Sequence, residues 1–142
     1  MRSIIAKKRI KERGVLRMVL AVLVSYFMLI PLVFFGIMLE VYHRICFWIY
    51  GIPYIDRRKY IKLDRGKLRY LSLGDKINCV YCGYANGFIY YAYRIISETE
   101  KYWCPIKHAE RRGKLEFFAP PHHKKFAEFG NENELKDVLE NK

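Results

Sequence analysis

MVLAVLVSYFMLIPLVFFGIML, residues 18–39, contains no charged side chain. As a helix this stretch would reach about 33 Å, enough for the ~30 Å hydrocarbon core of a bilayer. It exceeds the 7–15 residue apolar region of a secretory signal, and no small-x-small cleavage pattern follows it. A transmembrane helix is therefore expected over residues 18–39, with a single pass. Pro31 interrupts the run. Because proline removes a backbone donor, it predicts either a kink or the tip of a re-entrant hairpin.

Outward from this run, the first 17 residues form a basic flank. Arg2, Lys7, Lys8, Arg9, Lys11, Arg13 and Arg17 stand against Glu12 alone. Such density beside a span favours the cytoplasmic side for the N-terminus. The whole chain carries +12, so the remaining residues are also basic. Thiols spaced for a metal are commoner in a reducing compartment, which pulls the C-terminal part toward the same side. The two arguments compete, and the hairpin alternative satisfies both.

Residues 40–58 form an expected interfacial segment. Trp48, Tyr50 and Tyr54 suit the headgroup level, and Arg57, Arg58 and Lys59 suit acidic lipid phosphates. Phe47 and Trp48 fit equally well as a continuation of the helix into a core, and Cys46 reads as a small apolar residue. Residues 59–73, KYIKLDRGKLRYLSL, alternate apolar and polar side chains around Asp64-Arg65-Gly66, which predicts a β-hairpin. Its basic face, with Tyr60 and Tyr70, suits a lipid surface or nucleic acid. The bilayer is the expected partner, nucleic acid is not.

The chemistry concentrates in residues 78–108. Cys79 and Cys82 are spaced so that both thiolates can face one ion, and Gly83 tolerates a tight backbone behind them. Cys104-Pro105 and His108 supply a second cluster. Three thiolates and one imidazole are an ordinary structural zinc set, so Cys79, Cys82, Cys104 and His108 are the expected metal ligands, with zinc as the cofactor. Iron is the alternative. The geometry is conditional. A helix over 88–97 with an extended return brings the clusters together, and so does a hairpin, whereas a long straight helix parts them.

Cys79 to Tyr84, Cys-x-x-Cys-Gly-Tyr, resembles the first knuckle of rubredoxin and zinc-ribbon proteins. Their second knuckle carries a cysteine where this chain departs to His108. That resemblance implies a metal module or, with iron, electron transfer. The combination of basic anchor, INCVYCGYANG and TEKYWCPIKH also resembles a group of small bacterial membrane proteins without an assigned activity, which implies a plasma-membrane setting. Cys79-Val80-Tyr81-Cys82 is similar to the glutaredoxin pattern as well, which implies a membrane-bound thiol-disulfide oxidoreductase. The βαβ pattern that such a fold needs does not follow Cys104. A plain disulfide framework is open to four cysteines outside the cell.

Residues 119–142 read as a polar tail. Pro120 and Pro121 break any helix there. His122 and His123 read as exposed, with the option of replacing His108 as ligands. Asn131 or Asn133 caps a short helix bearing Leu135, Val138 and Leu139, a face suited to a protein partner. Phe117, Phe118, Phe126 and Phe129 suit packing or lipid. Glu98 and Glu100 read as solvated carboxylates, and no catalytic triad, phosphate loop or HExxH run occurs. The chain gives no positive argument for an enzyme. The expected architecture is α+β: residues 59–118 a small Cys/His domain stabilised by metal, held to the bilayer as an interaction module.

Overall fold

A computed structural model describes residues 4–109 and 119–140. Phe117 and Phe118, grouped above with the other tail phenylalanines, lie outside the described residues, as does Arg2 of the basic flank. The chain divides into two compact units, residues 1–93 and 94–142.

In the first unit, α1 (Ile4–Arg13) and α2 (Val15–Phe27) precede α3 (Leu29–Tyr50). Met28 between α2 and α3 is itself right-handed helical, at φ −64° and ψ −15°. The chain therefore runs straight past Pro31 and does not double back there. Pro31 falls in the first turn of α3, where a missing N–H is tolerated. Val15–Tyr50 is thus one N-terminal helix long and apolar enough to cross a membrane. Gly51 ends it at φ 65°, with Gly51 N–H bonding Trp48 O and Ile52 N–H bonding Phe47 O. These are the paired bonds of a Schellman cap, and Pro53 bars further helix. Residues 40–50 therefore continue α3. Phe47 is fully buried and Trp48 is 77% exposed.

Residues 51–72 form a strap with two 3-10 turns, Arg57–Lys59 and Asp64–Lys67. The expected hairpin over 59–73 does not form. Among the described residues there is no strand, only an isolated bridge between Ile106 and Ala127, so the fold is all-α rather than α+β. Alternation in residues 59–63 reflects one side of the strap lying on a helix, with no second strand to pair it.

That helix is α4, Leu73–Trp103, 31 residues long. Ser72 starts it as an N-cap: Asp75 N–H donates to Ser72 Oγ, and Ser72 Oγ–H donates to Asp75 Oδ2. Gly83 and Gly87, four residues apart on one face, let the strap backbone approach. A Cβ on Gly87 would stand 2.6 Å from Tyr60 O and 2.9 Å from Ile61 Cα, and one on Gly83 would stand 3.0 Å from Lys62 O. Gly83 thus serves a helix–strap contact inside α4, not a metal knuckle. Around it, Leu39, Phe47, Phe88, Tyr91 and Ala92 form the buried centre of this unit.

The second unit holds the end of α4, a 3-10 turn at Pro121–Lys125, and α5 (Glu132–Glu140). Asn131 caps α5 as expected, its Oδ1 accepting from Glu134 N–H at 3.1 Å. Glu134 in turn accepts from Glu128 N–H.

Gly87→Ala should destabilise the first unit by about 1–3 kcal/mol, because the clash is with backbone that cannot rotate away. Gly74→Ala, where nothing lies within 4 Å, should cost nothing. Urea unfolding in detergent, followed by circular dichroism, separates the two.

Candidate functional site

Glu100 lies in the last turn of α4, and the proline-led turn Pro121–Lys125 presents His122 and His123. Pro120 N-terminal to this turn, and Pro121 as its first residue, fix φ near −65° without a donor to satisfy. His122 Nε2 lies 2.6 Å from Glu100 Oε2, and His123 Nε2 lies 3.0 Å from Oε1. One carboxylate thus receives both imidazoles. Burial of Glu100 pushes its carboxyl upward, but the hydrogen bonds and charge of His122 and His123 outweigh this and hold it below its ordinary value. The carboxylate is therefore ionised and can only accept, so each facing Nε2 carries a proton.

The consequence falls on the other side of His123. Its side chain is buried, and with Nε2 facing Glu100 the ring's other nitrogen, Nδ1, lies on the far side. That Nδ1 has no hydrogen-bond partner among the described residues. Such an atom costs about 1–3 kcal/mol unless something occupies it. The His123 ring is fixed from both sides, stacked on Phe126 at 4.7 Å and edge-on to His122 at 4.6 Å. The His108 ring lies 5.6 Å away. Glu100, His108 and His123 each offer a donor atom, and these three lie within 4.8 Å of one another.

Two imidazoles and a carboxylate form a donor set suited to zinc and to other divalent transition metals. A tetrahedral ion with bonds of about 2.0–2.1 Å holds its donors roughly 3.4 Å apart, within the spread of these three. A cavity of about 450 Å³ opens beside His122, lined by Lys101, Lys125 and Asp137 among others.

The cysteines expected as ligands stand elsewhere. Cys79 and Cys82 are interior residues of α4 in the first unit, and Cys104 follows the helix end in the second, with the body of α4 between them. All four cysteines are free, and they are not clustered. The one expected ligand found in the group is His108. Reading Glu100 as solvated and His122 and His123 as exposed missed the others. His123 is buried, and the His122 side chain is only 8% exposed. Two adjacent histidines behind Pro-Pro were the available signal.

No family model, curated protein or solved structure matches the chain.

Glu100→Ala takes the acceptor from two poorly exposed Nε2–H groups and should destabilise the second unit by about 1–3 kcal/mol. Glu98→Ala breaks only surface ion pairs with Arg94 and Lys101 and should cost under about 1 kcal/mol. Amide hydrogen exchange over residues 94–109 and 119–140 reads the difference.

Proposed function

We propose that this chain is a membrane-bound metal-binding protein. Its apolar N-terminal helix holds it to a bilayer, and Glu100, His108 and His123 bind a divalent transition metal, zinc first among them. The observation that carries this reading is the convergence of Glu100, His108 and His123, whose donor atoms lie within 4.8 Å of one another. Structural metal sites contribute folding energy directly, which suits a unit whose described residues include few buried apolar side chains. The donor set is oxygen and nitrogen throughout, so it supports neither a thiolate-held iron centre nor a disulfide exchange reaction at this place.

The lipid partner in this reading is acidic. The strap exposes Arg57, Arg58, Lys59, Lys62, Arg65, Lys67 and Arg69 against Asp56 and Asp64. Juxtamembrane cations of this density gain about 1 kcal/mol each near an anionic leaflet. A bacterial plasma membrane is the setting that the resemblance of the sequence favours, and a single pass is the placement that the length of residues 18–39 favours by itself.

Cobalt titration of detergent-purified protein tests the site. The wild type should bind about one ion per chain, with d–d absorption and no thiolate charge-transfer band. His123→Ala should weaken binding at least tenfold, whereas a Cys79→Ser, Cys82→Ser double variant should leave it unchanged. A thiolate band lost in the double variant would move the site back to the cysteines. No binding by the wild type would remove it.

A further inference from the structure

The apolar helix has a fixed neighbour along its length. Tyr26 O–H donates to Asn78 Oδ1 at 2.9 Å, and the rings of Tyr26 and Tyr81 lie 5.3 Å apart. Further on, Phe35 meets Phe88, and Tyr91 O–H reaches Glu40 Oε1 at 3.1 Å. Residue numbers rise together on both helices, so within the first unit α4 runs parallel to α3. The strap must then travel back along them, and it does. Ile55 N–H meets His43 Nε2, the Tyr60 carbonyl lies at Gly87, and the Lys62 carbonyl lies at Gly83.

This register conflicts with a crossing centred on residues 18–39. The midpoint of that run falls at residues 28–29, and the Tyr26 contact puts Asn78 within a turn of the same depth. One turn further toward the start of α4 stand Lys76, Asp75 and the Ser72 cap. The strap beyond Lys62, with Asp64, Arg65, Lys67 and Arg69 exposed, would lie at hydrocarbon depth beside them. Non-helical backbone facing lipid is not tolerated there, and charge is costly.

The side chains show another placement. Leu16, Leu20, Leu23, Phe27, Ile30 and Phe34 recur every three or four residues and are each at least half exposed. They lie on a broad exposed apolar face of α2–α3 that also carries Val24, Met28, Ile37 and Met38, opposite the side of Tyr26, Gly36, Glu40 and His43 that meets α4 and the strap. We infer that α2–α3 lies along the membrane surface, its exposed face among the acyl chains, with the basic strap on the water side at the headgroups. The chain is then monotopic, and the N-terminal flank and the strap share one side of the bilayer.

This rests on the membrane attachment proposed above, and two readouts keep them apart. Wild-type protein is reconstituted in sealed phosphatidylcholine/phosphatidylglycerol vesicles and floated through a density gradient at high salt. Protein left at the bottom overturns attachment itself. Floated vesicles are then treated with a membrane-impermeant amine reagent, and labelled molecules are mapped whole by fragmentation mass spectrometry. Lys8 and Lys11 report the flank, and Lys59, Lys62 and Lys67 report the strap. The expected result is both sets labelled on the same molecule. Molecules labelled at one set and never at both would overturn the surface placement and establish a crossing.

Discussion

The close approach of strap backbone to α4 at Gly83 and Gly87 is the contact on which the first unit depends. Two helices joined by a short turn run antiparallel, whereas parallel helices need a connection as long as themselves. Here that connection is residues 51–72, and it fits the groove only because two helix positions lack a Cβ where Tyr60, Ile61 and Lys62 pass. Parallel packing follows from the returning strap, and from it follow the Phe35–Phe88 and Tyr26–Tyr81 contacts. The strap also fixes where charge sits relative to apolar surface. A chain with the same composition but an antiparallel connection would keep its basic residues at one end of the apolar helix rather than along its flank.

The second unit solves a different problem. Among its described residues few apolar side chains are closed off, Ile95, Phe126 and Ala127 among them. Its order rests on polar convergence: one carboxylate receiving two imidazoles, a cap on α5, and a bridge in which Ala127 N–H bonds Pro105 O and Lys107 N–H bonds Ala127 O. Lys107 and Glu128 add an ion pair beside that bridge.

What the sequence disclosed depended on the range of the interactions involved. The uncharged run over 18–39 and the Asn131 cap were legible, because each is decided within a few residues. The start of α4 was equally local, in Ser72-Leu73-Gly74-Asp75, yet the alternation before it suggested a hairpin instead. Strand patterning marks a chain with one side against a surface, and a strap lying on a helix produces the same mark. Cys79, Cys82 and Gly83 look like a knuckle only while the backbone around them is taken as a turn. Once Ser72 begins a helix, Gly83 and Gly87 fall on one face, and the spacing has a packing reason. The pairing of Glu100 with His122 and His123 spans 22 and 23 residues. No periodicity reports a contact at that range.

The Ile55–His43 contact carries a directional consequence. A backbone amide can only donate, so His43 Nε2, 3.2 Å from Ile55 N, must be the lone-pair side of the ring. The neutral imidazole then holds its proton on Nδ1, 3.0 Å from Tyr91 Oη, and the phenol proton is left to point at Glu40. Four groups from three segments are thus polarised in one sense, from amide to ring to phenol to carboxylate. Reversing either central member, the ring or the phenol, breaks two bonds at once. The relay thus couples the seating of the strap at Ile55 to the orientation of two side chains on α3 and α4.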